Sequence, residues 1–124
     1  MRKAFSAIGL IGTVLVLVAA CAPAKIVGGP IAPDRVQAGI YEGQAKTGPV
    51  KVVAKVTIRN RRITNIELLE HRNWKGGAAE KVIPDRIIAE QSTKVDAVSG
   101  ATFSSRAIMN AVDAAVRQAQ GEDP

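Results

Sequence analysis

The chain changes from an extended to a helical pattern within Asp96-Ala97-Val98-Ser99-Gly100-Ala101-Thr102-Phe103-Ser104-Ser105. Gly100 permits a tight turn, and the helical pattern begins just after it. A glycine turn that leads into a helix leaves backbone N–H groups unpaired at the positive end of the helix dipole, where a phosphate is favoured. Thr102 adds a hydroxyl at the same point. The run therefore predicts a site that holds an anion or bonds it covalently.

Helix capping is the simpler interpretation of the same run. Ser104 or Ser105 would accept hydrogen bonds from the first helical N–H groups, with Gly100 forming the turn. Capping needs one hydroxyl, however, and does not need the order Asp-x-x-Ser-Gly-Ala-Thr. The two interpretations are compatible, because Ser104 can cap the helix while Thr102 carries a phosphate.

Three strands are predicted upstream of this run. Residues 50–59 alternate clearly between apolar and polar side chains, and residues 39–46 and 63–70 read as strands on either side. Gly48-Pro49 and Asn60-Arg61-Arg62 supply the turns. Consecutive strands with short connections predict an antiparallel meander.

Helices are predicted from about residue 78 onward. Pro84 is expected to interrupt the first helix and to begin a second segment, which ends at Gln91-Ser92. Residues 95–98 add a short extended segment, and residues 105–120 form an amphipathic helix. The fold class is therefore α+β, a small antiparallel sheet (the meander plus the extended segment) packed by two or three helices.

The N-terminus predicts export. Arg2 and Lys3 precede an uncharged apolar stretch that ends in Val18-Ala19-Ala20-Cys21, which is typical of a secretory signal. The cysteine resembles that of a bacterial lipoprotein signal, so residues 1–20 are expected to be removed and Cys21 to be lipidated. An uncleaved membrane helix is the alternative. Both place the protein at a membrane, facing the periplasm or the cell exterior.

Residues 21–38 are rich in Pro and Gly and read as a tether, and residues 39–121 as one domain. A flexible linker of this length spans on the order of 20–25 Å, which would hold the domain clear of the bilayer.

Composition limits which metal and cofactor sites the chain can form and which partners suit its charge. Cys21 is the only cysteine and His71 the only histidine, so no internal disulfide, zinc, haem or iron–sulfur site built on several such ligands is expected. If the protein moves electrons, an organic cofactor must carry them. Removing Arg2 and Lys3 from the 17 Lys and Arg leaves 15 against 11 Asp and Glu, a net charge of +4. Export argues against nucleic acid as a partner, whereas anionic lipid or an acidic redox partner suits this charge.

The run that ends in Thr102-Phe103-Ser104-Ser105 resembles the signature of the FMN-binding domain family. This family includes the covalently flavinylated subunits of the sodium-pumping NADH:quinone oxidoreductase and of the Rnf electron-transport complex. The resemblance extends to Tyr41-Glu42-Gly43, the following strands, Gln91-Ser92 and the last helix. It implies that residues 39–121 form an FMN-binding domain.

The resemblance also implies a covalent cofactor. In these relatives the Thr that closes a Ser/Thr-Gly-Ala-Thr motif is joined to the FMN phosphate by a phosphoester. A dedicated flavin transferase makes the bond, with FAD as donor and magnesium as helper. Read onto this chain, Thr102 is the acceptor. Asp96 is expected either to orient the turn or help to position magnesium during attachment, or simply to form an Asx-turn. The phosphate end would be held by Ser99, Gly100, Ala101, Ser104 and Ser105.

The loop after the third strand is a second candidate. In the respiratory-complex relatives this loop often reads Glu-Thr-Pro-Gly and lies against the isoalloxazine ring, whereas this chain has Asn73, Trp74 and Lys75 there. Trp74 is expected either to cover one face of the ring or to fill the core. His71 is expected either to bond a flavin carbonyl or to be a partly exposed polar residue.

The expected function is electron transfer by a membrane-anchored carrier that exchanges electrons with a membrane-bound redox partner. The sequence offers no candidate catalytic dyad or triad, so an electron-transfer protein or redox-complex subunit is favoured over a self-standing enzyme. A flavin or quinone reductase subunit, and a flavin-free lipoprotein adaptor or sensor, are the alternatives.

Overall fold

The computed structural model describes residues 28–72 and 77–122. Within them the chain forms three strands and then two helices: β1 (Gly39–Thr47), β2 (Val50–Arg59), β3 (Arg62–Arg72), α1 (Gly77–Glu90) and α2 (Thr102–Ala119). The strands form one antiparallel sheet in the order β1-β2-β3. The predicted α+β class and the three-strand meander are confirmed.

The central strand β2 alternates as the sequence predicts. One face of it is buried against the helices, through Val50, Val52, Ala54, Val56 and Ile58. Two-residue turns join it to its neighbours, since Thr47 pairs with Val50 and Arg59 with Arg62. Asn60 and Arg61 have φ values of 52° and 62°, and positive φ at both central residues gives the turn the twist that a tight hairpin needs.

Helix α2 packs across β1 and β2, and this packing determines where its N-terminal end lies. Gly43 lets the backbones of β1 and α2 touch, because a Cβ there would lie 2.5 Å from the Ala115 nitrogen and would also meet the Ala111 carbonyl oxygen. Near the other end of the helix, a Cβ at Gly48 would lie 3.8 Å from Phe103 Cδ1. The start of α2 therefore lies beside the β1–β2 turn.

Helix α1 is not divided at Pro84, as the sequence suggested. It runs without a break from Gly77 to Glu90, with Pro84 inside it. Pro84 cannot donate the usual helical hydrogen bond. Its ring is buried together with Ile83 and Ile87, and this packing stabilises the helix in place of that bond.

The expected extended segment at residues 95–98 does not join the sheet. The only isolated bridge among the described residues pairs Ser92 with Pro30 instead. Residues 28–38 also differ from a free tether, because Ile31 and Val36 are buried. The Ile31 nitrogen donates to the Gln91 carbonyl at 3.0 Å. This part of the expected tether packs on the domain, and the signal segment, Cys21 and residues up to 27 lie outside the described residues.

None of the helices in the described part of the chain is long and apolar enough to cross a bilayer.

Candidate functional site

The turn before α2 is closed by backbone hydrogen bonds that set the position of Thr102. The Ala101 nitrogen donates to the Val98 carbonyl at 3.0 Å. Gly100 has a φ of +81°, a conformation that L side chains rarely adopt, and nothing lies within 4 Å of a Cβ built there. Glycine is thus required by the backbone conformation and not by crowding.

Helix α2 begins at Thr102, three residues earlier than predicted, and its N-cap is Ala101, which makes no side-chain cap hydrogen bond. The expectation that Ser104 or Ser105 caps the helix is therefore wrong. Both serines lie inside the first turn, where their own N–H groups need partners. The Ser105 nitrogen reaches the Ala101 carbonyl at 2.9 Å. For residues 102–104, no backbone acceptor is found within the described ranges.

Uncapped N–H groups at residues 102–104 make the start of α2 electropositive. No acidic side chain lies in the first turn to neutralise it. Thr102 and Phe103 are exposed there, and Phe103 is 58% exposed. An anion can reach both the N–H groups and the Thr102 hydroxyl from solvent.

Ser105 stabilises the turn from the protein interior. It is fully buried, and its Oγ donates to the Ala101 carbonyl at 2.7 Å while accepting from the Val98 nitrogen at 3.0 Å. Its hydroxyl is thus engaged inside the protein and does not line the cavity. Of the hydroxyls that the sequence assigned to the phosphate end, Ser105 has a structural role, whereas Ser104 lines the cavity described next.

A cavity of about 300 Å³ opens beside Thr102. Its walls come from the β1–β2 turn and the start of α2: Pro49, Val50, Gly100, Ala101, Thr102, Phe103 and Ser104. The wall is mostly apolar, and its volume is at the lower end of the range for small-molecule sites. An apolar cavity next to an anion site suits a flat aromatic ring that carries a phosphate.

Two buried side-chain atoms lack a hydrogen-bond partner in the part of the chain that the structure describes, Thr47 Oγ1 and Arg106 Nε. Thr47 ends β1 and directly precedes the Gly48–Pro49 turn, and Arg106 lies one helical turn after Thr102. Buried polar groups are normally paired, so these two atoms are unsatisfied polar groups on the elements that border the cavity, although neither residue lines it. Neither residue was predicted from the sequence.

His71 lies at the end of β3, opposite Val52, near the same end of the sheet as the cavity. Its side chain is 2% exposed, and its Nδ1 lies 2.6 Å from Glu80 Oε1 in the first turn of α1. The structure therefore shows this histidine joining β3 to α1. Trp74 and Lys75 lie outside the described residues, so the expected contact of Trp74 with the ring stays a prediction.

Asp96 and Ser99 are exposed before the turn. The Asp96 carbonyl accepts from Arg86 Nη1 at 2.7 Å, which ties this stretch to α1. Among residues 28–72 and 77–122, no group of three or more His, Cys, Asp or Glu side chains is arranged to hold a metal ion.

Comparison with known proteins agrees with this geometry. A model of the FMN-binding domain family matches residues 46–117. The chain is also 34% identical over 90 residues to an uncharacterized protein of Treponema pallidum (strain Nichols). That match covers 71% of this chain and 25% of the relative, so the chain spans about a quarter of the relative's length. Because the family match covers more than half of the chain, including β2, the turn and most of α2, this protein belongs to the FMN-binding domain family and FMN is its cofactor.

Proposed function

We propose that the protein is a membrane-anchored, extracytoplasmic electron carrier in which a phosphoester joins Thr102 to FMN. The observation that carries the proposal is the position of Thr102. Its hydroxyl is exposed at the uncapped start of α2, next to the apolar cavity. A phosphate bonded to this hydroxyl would lie beside N–H donors, and the attached ring would have the cavity within reach.

This chain's residues bind and orient, whereas the flavin supplies the electron-transfer chemistry when it is bound. The N–H groups of residues 102–104 would donate to phosphate oxygens, and the dipole of α2 would favour their charge. Gly100 and Ser105 hold the turn in the shape that presents these donors. Pro49, Val50 and Phe103 would exclude water from one side of the ring.

Attachment needs a flavin transferase as a maturation partner. The Thr102 Oγ–phosphorus bond forms as the pyrophosphate bond of FAD breaks, AMP leaves, and the hydroxyl proton passes to a base of the transferase. The exposed position of Thr102 suits this step, because a second protein has to reach it. Covalent attachment also suits a protein outside the cytoplasm, which could not readily replace a lost cofactor.

Anchoring through lipid on Cys21 would hold the carrier near a membrane-bound redox partner. The small domain needs no substrate pocket of its own for this role, because a partly exposed ring can exchange electrons with a docked protein. Steady turnover of a quinone by the isolated, loaded domain would favour the reductase alternative instead.

The deciding experiment is co-expression with a flavin transferase, followed by intact-mass measurement and in-gel flavin fluorescence of the denatured chain. Wild type should carry one covalent FMN, and Thr102→Val should carry none. Thr64→Val is the matched control, since Thr64 is an exposed threonine on β3; it should load as wild type does. A colourless wild type, or covalent flavin on Thr102→Val, would refute the assignment.

A further inference from the structure

Arg106 is close to Thr102 on the surface of α2. The two residues are four positions apart, and side chains at that spacing are neighbours on one face of a helix. Helical side chains also lean toward the N-terminus of their helix. From this tendency we expect the Arg106 side chain to extend along α2 toward the residue that would carry the phosphate.

This arginine has an unsatisfied donor. Its Nε is buried without a hydrogen-bond partner. Two other arginines are engaged, since Arg86 donates to the Asp96 carbonyl and Arg117 pairs with Asp113 at 3.0 Å. Burying a guanidinium N–H without an acceptor is unfavourable, and a guanidinium can only donate. Arg106 as a whole is only partly buried, so an acceptor from outside the domain can still approach its side chain.

The neighbouring acids do not supply this acceptor. The first turn of α2 contains none, and Asp113, two turns further along the helix, already accepts from Thr93 Oγ1 and Arg117. The uncapped N–H groups of residues 102–104 add positive charge on the same side. Within the described residues, Arg106 therefore lacks a negatively charged partner that offers acceptor oxygens.

We propose that Arg106 binds the phosphate of the attached FMN and fixes its orientation. The proposal rests on the proposed attachment to Thr102. A phosphoester between Thr102 and FMN keeps one negative charge shared by two free oxygens. The N–H groups of α2 would donate to these oxygens at the helix end, and the planar guanidinium of Arg106 would add up to two parallel hydrogen bonds.

The proposal predicts opposite effects of one substitution in two states of the protein. In flavin-free protein, Arg106→Gln should leave the unfolding temperature unchanged or raise it, because it removes a buried unpaired donor. In flavin-loaded protein, it should abolish most of the rise in unfolding temperature that loading gives to wild type. Arg106→Lys keeps the charge without the fork and should retain part of that rise.

Thermal unfolding of loaded and unloaded chains measures this, and the ³¹P resonance of the phosphoester gives a second readout. In Arg106→Gln the resonance should move toward its position in the unfolded loaded chain. Arg59→Gln is the control, since Arg59 is exposed at the end of β2, and it should change neither readout. If Arg106→Gln stays folded but does not load, while Arg106→Lys does, the need for a cation at this position is shown directly.

Equal destabilisation of loaded and unloaded protein by Arg106→Gln, with an unmoved ³¹P resonance, would overturn the proposal for Arg106 and leave the attachment to Thr102 intact. A wild type that carries no flavin after co-expression with the transferase would overturn both.

Discussion

Thr102, Ser104 and Ser105 show how position decides what a hydroxyl can do. Ser105 is fully buried, and its hydroxyl both donates and accepts a hydrogen bond within the turn. Ser104 is almost buried but borders the cavity, and Thr102 faces solvent. Of the three, only Thr102 is exposed. The helical register of α2, more than residue type, therefore favours Thr102 as the attachment point that we propose.

Gly43 is the residue on which the contact between β1 and α2 depends. A methyl group there would meet backbone atoms of Ala111 and Ala115, which cannot move without shifting the helix. We expect Gly43→Ala to lower the free energy of unfolding by about 1–3 kcal/mol, as other overpacked cores do. Urea unfolding followed by circular dichroism measures the change.

Gly77 provides the matched control for this prediction. It is exposed at the start of α1, and nothing lies within 4 Å of a Cβ built on it. Gly77→Ala should change the free energy of unfolding by no more than about 0.5 kcal/mol. Equal effects of the two substitutions would contradict the close approach at Gly43.

At the scale of elements, Gln91 joins the end of α1 to the start of β3. Its side chain accepts from the Ile63 nitrogen at 2.8 Å and donates to the carbonyls of Ile63 at 2.9 Å and Ile88 at 2.7 Å. The amide thus pairs with the edge of β3 as a strand would. The φ of 51° at Gln91 turns the chain so that the side chain can reach it.

We expect Gln91→Ala to destabilise the domain by about 1.5–4.5 kcal/mol, because three hydrogen bonds are lost at about 0.5–1.5 kcal/mol each. Gln44→Ala, at an exposed position on β1, should have little effect. Hydrogen exchange of the Ile63 amide provides the local readout, and unchanged protection of that amide in Gln91→Ala would contradict the bridge.

The elements that the sequence predicted well are those whose pattern is local. β2 shows its buried face by alternation, and α2 shows its stripe by its 3.6-residue period. The start of α2 was placed too late, because Ala101 has no side chain that could cap a helix and the apolar stripe begins further on. The break expected at Pro84 followed a local rule, which burial of the ring overrides.

The unpredicted parts of the fold and site depend on contacts between distant residues. Packing of residues 28–38 depends on Gln91 and Ala119, which nothing near them in sequence indicates. The cavity joins the β1–β2 turn to the start of α2, so Phe103 became a candidate only once both were placed. A correctly predicted start of α2 would have indicated Arg106, because it lies four residues after Thr102. The burial of its Nε without a partner could not be predicted from the sequence.

At the scale of the whole molecule, the family match and the described fold concern the domain, while the proposed anchor lies in the residues before it. Attachment to the membrane and attachment of flavin are therefore expected to be separable. Cys21 carries the first in our proposal and Thr102 the second. Thr102 is exposed, so its replacement should leave the core unchanged, and Cys21 lies in the sequence before the described residues.

Metabolic labelling with a fatty acid, combined with in-gel flavin fluorescence, tests this separation in cells that contain the transferase. Wild type should show both signals. Thr102→Val should keep the lipid label and lose fluorescence, whereas Cys21→Ala should lose the label. Flavin on Cys21→Ala should persist wherever that chain is exported, since the domain that presents Thr102 is unchanged. An unlabelled wild type that still sediments with membranes would replace the lipid anchor with the uncleaved apolar helix, and would leave the flavin site as proposed.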